Sequence, residues 1–216
     1  NKERNDFETQ SQLVAIRHSV DTRDSFYEEE QAFFDDALPV YEKEIQAYYR
    51  VLTNHELRTE LEAEWGSQLF SLAERALETF EESLIPKLQE ENRLATAYQK
   101  VMSAAQIEFD GKTLNLSQFG PYLQSPDRDV RKAASVARYT YLSDNGDELD
   151  RIYGELVRVR TEIAHALGFP SFVELGYARM QRVGYDESMV DNFRKQVRDV
   201  IVPLASALKE KQAKRI

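Results

Sequence analysis

Apolar residues recur along the chain at the spacing of an α-helix. Between residues 21 and 105 they stand mostly three or four positions apart, and Gly66 is the one glycine in that range. Tyr41, Ile45 and Tyr48, for example, follow one another at spacings of four and three, which places them on one face of a helix. The whole chain has only eight glycines and six prolines, so breaks are few. The pattern predicts a mainly α fold, an array of many helices.

The predicted helices begin and end at capping residues and prolines. Asp21 has a carboxylate suited to cap a first helix that runs to about Leu38. Pro39 fits either a kink or the start of a new helix. Gly168 is expected to end a long helix, and Asp186 to cap the last one. Other helices are predicted near residues 55–64 and 67–80, after Pro86, after Pro126, from about 147 to 167, and near 172–177.

One short segment alternates with a period of two instead. Ile107 and Phe109 precede the dipeptide Asp110-Gly111, and Leu114 follows it. Asp-Gly favours the tight turn that joins two antiparallel strands. The segment predicts a small β-hairpin near residues 106–116, the only sheet that we expect.

The charge balance excludes some classes of partner. Twenty-eight Lys and Arg stand against 38 Asp and Glu, which gives a formal charge of −10 at pH 7. Such a chain repels phosphate, so neither nucleic acid nor an anionic membrane is an expected partner. The longest apolar run, Val200–Ala205, is far shorter than the ~20 residues that a membrane span requires.

The chain contains no cysteine, which excludes disulfides, a thiolate nucleophile and a cysteine-based zinc site. A reducing compartment, the cytoplasm, is the default expectation, although an acidic cysteine-free protein suits the outside of a cell equally well. Asn1 rather than Met stands first, and the last helix reaches Ile216 without a stop signal. We therefore expect the sequence to be a piece of a longer chain.

Histidine offers no zinc site. His55-Glu56 begins like the H-E-x-x-H motif, in which two histidines one turn apart bind the metal, but Thr59 stands where the second histidine belongs. His18 and His165 lack ligand-like spacing to any carboxylate. All three histidines are expected to be structural or to lie on the surface.

Paired carboxylates and a small basic cluster are also expected to be structural. Neighbours such as Asp35-Asp36 and Glu90-Glu91 point roughly 100° apart on a helix, so they are expected on solvated faces and not in one acid–base site. Arg128, Arg131 and Lys132 alternate with aspartates, which favours ion pairs within the helix over an anion site.

Tyrosine is abundant, with eleven in the chain. An exposed phenol in a groove is a good donor to a peptide carbonyl. The alternative is a half-buried ring whose hydroxyl lies at the edge of the core. The residues leave both readings open for Tyr139, Tyr141, Tyr153, Tyr177 and Tyr185.

Several segments resemble one enzyme family in order along the chain. They include Gln106–Leu114 (QIEFDGKTL), Pro121–Ala134 (PYLQSPDRDVRKAA) and Ile163–Tyr177 (IAHALGFPSFVELGY), with weaker similarity at Ile16–His18 and Phe26–Asp35. Together they are similar to the oligoendopeptidase F family, the thimet-oligopeptidase-like zinc metallopeptidases.

The resemblance implies a mostly helical peptidase with a deep channel between two lobes, which cleaves short peptides. In that family an H-E-x-x-H helix and a further glutamate hold the zinc, and no position of this sequence matches those ligands. No catalytic or metal-binding residue is therefore assigned, and the substrate-binding residues stay open. Residues 1–185 are expected to form a helical N-terminal lobe, and 186–216 a helix leading into a catalytic lobe outside this sequence.

Two functions follow for the chain. The first is a wall of the substrate channel in a zinc oligopeptidase, inactive and free of zinc when separated from the catalytic lobe. The second is a freestanding acidic scaffold or protein-interaction domain. If the catalytic lobe is missing, Val197, Ile201 and Leu204 should expose apolar surface and cause self-association.

Overall fold

Helices make up most of the regular structure in the computed structural model, which describes residues 2–215. The helices are α1 (Lys2–Val20), α2 (Ser25–Thr53), α3 (Arg58–Trp65), α4 (Ser67–Leu77), α5 (Ile85–Ser103), α6 (Gly120–Leu123), α7 (Arg128–Asp144), α8 (Gly146–Ala166), α9 (Phe172–Arg179), α10 (Glu187–Gln196) and α11 (Val202–Ala213). The strands are β1 (Ile107–Phe109) and β2 (Lys112–Leu114). The predicted fold, mainly α with one hairpin, is confirmed.

The chain divides into two compact units. The first contains the residues up to Glu44 together with Glu81–Ile163, and the second contains Ile45–Phe80 together with the residues from Ala164 on. Within the described part of the chain, no helix is both long enough and apolar enough to cross a membrane.

The start of the chain differs from the sequence prediction. Helix α1 precedes the helix expected first, and Asp21 lies in the turn after α1, where its carboxylate accepts hydrogen bonds from Arg23. Asp24 caps α2 instead, by accepting the N–H of Phe26 at 2.9 Å. The prediction that Asp21 caps this helix was wrong because α2 begins at Ser25, so that Asp24 and not Asp21 stands directly before its first turn.

Pro39 lies inside α2, which continues through it. Proline has no N–H, so it cannot donate to the carbonyl of Asp35 one turn earlier. Asn92 of α5 supplies the missing hydrogen bond, with its Nδ2 at 2.9 Å from the Asp35 carbonyl. Gln89 donates in the same way to the carbonyl of Asp36 at 2.8 Å. The open choice between a kink and a restart is thus resolved in favour of a continuous helix that is bonded to α5 at the proline.

The hairpin forms where the alternating segment predicts it. β1 and β2 pair antiparallel, with Ile107 opposite Leu114. Asp110 and Gly111 both have positive φ, 53° and 69°, as the predicted tight turn requires. Buried Leu114 and Phe119 pack with Ala134 of α7, so the hairpin is anchored to the helix that follows it.

The second unit contains the pairing of α4 with α9 and the last helical segment. Phe70 and Ala73 of α4 are buried, as are Leu175 and Ala178 of α9. Gly168 ends α8 with φ of 83°, and the N–H of Phe169 bonds back to the carbonyl of Ala164 at 2.9 Å. Asp186 caps α10 through the N–H of Met189. Both terminal signals act as predicted.

A π-helical turn, Val197–Ile201, joins α10 to α11. Pro203, the second residue after this turn, cannot donate to the carbonyl of Asp199, its usual partner one turn back. The wider turn lets the helix continue past this proline.

We expect the hydrogen bond from Asn92 to the Asp35 carbonyl to depend on Pro39. Asn92→Ala leaves a part-buried carbonyl without a partner and should lower the free energy of unfolding by about 1–3 kcal/mol. In a Pro39→Ala background the restored N–H of residue 39 satisfies that carbonyl, so Asn92→Ala should cost much less. Urea unfolding of the four proteins of this double-mutant cycle measures the coupling. If Asn92→Ala lowers the free energy of unfolding equally in both backgrounds, the stabilisation by Asn92 does not come from its hydrogen bond to the Asp35 carbonyl.

Candidate functional site

One extended polar contact of the first unit lies between α2 and α5. Their ionic pairs run in opposite directions along the two helices: Lys100 pairs with Glu28 at one end, Arg93 with Asp36 in the middle, and Glu82, just before α5, with Lys43 at the other end. Each of these pairs has an N–O distance of 2.5 Å. We call this antiparallel contact the α2–α5 seam.

His18 of α1 is buried at one end of the seam, only 2% exposed. Its Nε2 lies 2.9 Å from Oε2 of Glu28, while Oε1 of the same carboxylate accepts from Lys100. The hydrogen bond from Lys100, followed by that from His18, lowers the pKa of Glu28. One carboxylate thus joins α1, α2 and α5, which is a structural role for His18.

Asp35 is the buried carboxyl group of the seam, 4% exposed. Burial raises its pKa, and hydrogen bonds from Thr96 and Gln31 oppose that rise. Asp35 and His18 both line a cavity of about 280 Å³. The prediction of a solvated face was therefore wrong for Asp35, whereas Asp36 is exposed and pairs with Arg93. The two neighbours differ because Asp35 points into the α2–α5 seam.

The other two histidines lie apart from any cluster of ligands. Nδ1 of His55 accepts the N–H of Leu57, and His165 lies 3.2 Å from the carbonyl of Pro170. Among residues 2–215 no three His, Asp or Glu side chains are grouped so that they could hold a metal ion.

Glutamates of α5 and α8 pair across the first unit instead of forming an acidic site. Arg158 binds both Glu90, at 2.5 Å, and Glu162, at 3.0 Å. Lys87 also binds Glu162, and Arg160 binds Glu91 at 2.7 Å. These carboxylates are paired with cations and show no acid–base arrangement. The prediction of a solvated face was wrong for Glu91, which is only 8% exposed because it packs beside Arg160.

The basic cluster at the start of α7 departs from its prediction. Arg131 donates to the backbone carbonyls of Ser125 and Pro126, at 2.6 and 2.9 Å, and not to a neighbouring aspartate. Asp127 caps the helix by accepting the N–H of Asp129. Arg131 therefore does not form the expected ion pair within the helix; it forms hydrogen bonds to backbone carbonyls of the preceding turn.

The five tyrosines divide between the two readings. Tyr139 and Tyr153 are 62% and 71% exposed. Tyr141 is half-buried and donates its hydroxyl to the carbonyl of Val101 at 2.6 Å. In the second unit the Arg182 guanidinium lies 4.4 Å from the ring centre of Tyr177 and 5.5 Å from that of Tyr185. Tyr141 therefore has a structural role, and the exposed rings remain candidates for contact with a ligand.

Residues 2–215, the part of the chain that the structure describes, form no assembled catalytic centre, and the family of the chain follows from its similarity to known proteins. Residues 1–80 match the family model of the peptidase M3 N-terminal domain. No curated protein matches the sequence.

Solved structures extend the match to the whole chain. A Bacillus anthracis str. Ames protein assigned as an oligoendopeptidase F is 50% identical, with a TM-score of 0.94 over 100% of this chain and 40% of its own. A second oligoendopeptidase F structure is 47% identical over 99% of this chain and 38% of its own. PZ peptidase A with an inhibitor is 47% identical over 100% of this chain and 38% of its own. The TM-score of both is 0.94.

The chain belongs to the oligoendopeptidase F family, as the resemblance of its segments indicates. It spans about two fifths of the length of the relatives whose structures are solved. The family model that it matches is that of the N-terminal domain.

We expect Asp35→Asn to stabilise the protein at neutral pH. The folded state raises the pKa of Asp35 above its ordinary value of 3.8, so the buried charge costs stability at high pH and the cost disappears as the carboxyl is protonated. The gain in free energy of unfolding should therefore shrink as the pH falls from 7 towards the folded-state pKa. Urea unfolding as a function of pH measures it.

Asp36→Asn is the matched control, because it removes the neighbouring carboxylate from an exposed pair with Arg93. This substitution should not raise the free energy of unfolding and should lower it only slightly, if at all. A pH-independent gain in Asp35→Asn would contradict the assignment of the stabilisation to the buried charge.

Proposed function

We propose that the chain is part of a zinc-dependent oligopeptidase that hydrolyses short peptides. The observation that carries the proposal is the 47–50% identity to oligoendopeptidase F and PZ peptidase A structures over essentially its whole length. A bound zinc would supply a polarised carbonyl and an activated water. The described residues do not fit zinc, since they form no ligand cluster, so its ligands would belong to another part of the parent protein.

In this proposal the 216 residues form a wall of the substrate channel and are inactive alone. Exposed phenols such as Tyr139 and Tyr153 would offer hydrogen-bond donors to a peptide backbone without reading its sequence. A channel between helical lobes admits a short peptide and excludes a folded protein by size. Its partners would be short peptides and the catalytic lobe, and it would bind neither nucleic acid nor a membrane. The protein would be located in the cytoplasm.

The last helical segment supports the proposed division into a lobe, 1–185, and a connecting helix, 186–216. Of the three residues expected to be exposed, Ile201 and Leu204 are 53% and 60% exposed, whereas Val197 is only partly exposed. Leu208, four positions after Leu204, is 53% exposed. Phe193 of α10 is 64% exposed. In the parent protein the catalytic lobe would cover this apolar face.

The parent protein should cleave a quenched fluorescent peptide, and a zinc chelator should abolish the cleavage. The 216-residue chain, assayed at the same concentration, should cleave nothing and should contain no stoichiometric zinc by elemental analysis. A folded protein that contains the same peptide sequence serves as the control for size exclusion and should stay intact. Cleavage by the parent that ignores the chelator, or hydrolysis by the isolated chain, would overturn the proposal.

The isolated chain should self-associate through its last helix. Sedimentation velocity across a wide concentration range should show a growing fraction of dimers or larger species. Ile201→Lys with Leu204→Lys should shift the equilibrium towards monomer, while Gln196→Lys adds one charge at another exposed position and should change it less. If the isolated chain is a monomer at all concentrations, the proposal that the catalytic lobe covers the apolar face of the last helix is contradicted.

A further inference from the structure

Arg138 of α7 is half-buried and has no hydrogen-bonding partner among the residues that the structure describes. Its Nε is shielded from solvent, yet neither a carboxylate nor a carbonyl accepts its proton. An N–H group that is shielded from water normally donates to an acceptor, because losing its hydration without replacement is costly. Arg138 thus indicates a missing acceptor.

Other arginines of the first unit pair with carboxylates, unlike Arg138. Arg151 binds Glu148 and Glu155, and Arg158 binds Glu90 and Glu162. The isolated Arg128 differs from Arg138, because Arg128 is exposed and water can serve as its acceptor.

A cavity of about 520 Å³ lies against Arg138. Its polar lining includes Ser103, Asn115 and Ser117, and none of the described residues that line it is Asp or Glu. Oγ of Ser103 already accepts from Gln99 at 2.8 Å, which directs the hydroxyl proton of Ser103 elsewhere.

Asn115 likewise has a donor to spare. Its Oδ1 accepts the N–H groups of Ser117 and Gln118, at 3.1 and 3.0 Å, so its Nδ2 protons remain for another acceptor. A cavity that offers donors without a counter-charge is complementary to an anion.

We propose that this cavity binds a carboxylate that carries an apolar group. One unpaired guanidinium matches a single negative charge, whereas a phosphate dianion would bring excess negative charge into a protein whose net charge is −10. Val20, Met102 and Leu116 also line the cavity, beside the polar Ser19 and Gln99, and would receive the apolar group. The site lies wholly within the first unit, and the inference does not rest on the proposed peptidase function.

The carboxylate has two possible sources with the same chemistry. It is either a free ligand, such as the C-terminal residue of a peptide, or an Asp or Glu side chain from the remainder of the parent protein. The probe for the cavity is N-acetyl-leucine, and N-acetyl-leucinamide is the matched neutral control of nearly the same shape.

Nuclear magnetic resonance of the Arg138 Nε–H group provides the test in the 216-residue chain. Since Nε is shielded from solvent, its proton should exchange slowly enough to be observed. N-acetyl-leucine should shift this resonance saturably, with a Kd on the order of 1 mM, and the amide should not. Sodium sulfate at equal ionic strength should leave it nearly unchanged.

Two variants connect the binding to the cavity. Arg138→Gln should weaken binding of N-acetyl-leucine about tenfold or more, while Arg128→Gln should not, with backbone resonances as the readout in both. Asn115→Asp preserves the Oδ1 acceptor and places a negative charge in the cavity, so it too should abolish binding. It keeps the proposal testable if Arg138→Gln fails to fold, as circular dichroism would show.

The parent protein then distinguishes the sources. If a free carboxylate is the ligand, N-acetyl-leucine should raise the melting temperature of the parent protein, and Arg138→Gln should remove that rise. If a side chain of the remainder fills the cavity, the ligand should have no effect there and Arg138→Gln should lower the melting temperature more in the parent than in the short chain. Equal shifts of the Nε–H resonance by the acid and the amide, or binding that survives both variants, would overturn the proposal.

Discussion

A polar contact joins α2 to α5 in the first unit, and Pro39 creates the need for one of its hydrogen bonds. Because Pro39 cannot donate, the carbonyl of Asp35 needs a donor from outside its helix, and Asn92 supplies it. Arg93 and Lys100 then lie opposite Asp36 and Glu28. If one helix moved along the other by one turn, the buried carbonyl and the Asp35 carboxyl group would lose their partners. The seam therefore determines the register of the two helices as well as holding them together. An apolar seam would tolerate such a shift more readily.

The elements that the sequence predicts well are those whose signals are local. The Asp110-Gly111 turn, the Asp186 cap and the Gly168 terminus each need only a few neighbouring residues to act, and each lies where it was expected. Helix α1 was missed because its apolar residues form no continuous stripe. Its Phe7 packs against Phe34 and Tyr41 of α2, with ring centres 5.5 and 4.3 Å apart, and those partners cannot be read from residues 2–20 alone.

For polar residues, the local sequence is an even poorer guide to the contacts that each residue makes. Asp35 and Asp36 look alike in sequence, yet one is buried and the other is exposed beside Arg93, since only Asp35 points into the seam. Arg131 stands among aspartates but binds carbonyls, which the spacing of charges does not reveal. Motif reasoning could still establish which chemistry is lacking: His55 has no second histidine one turn later, whatever the fold.

Two ionisable groups of the seam, Glu28 and Asp35, are engaged in structural contacts, which limits what they can contribute to a reaction. Glu28 serves His18 and Lys100 at once, and its pKa is lowered by both, so it is held as a carboxylate and is a poor general acid at neutral pH. Asp35 accepts from Gln31 and Thr96, which ties its oxygens to the helices around it. Releasing either group to a substrate would break contacts between helices. A chain built in this way is suited to hold a rigid surface in place while reactive groups are supplied from elsewhere, and that is the physical reason for proposing a wall and not a catalyst.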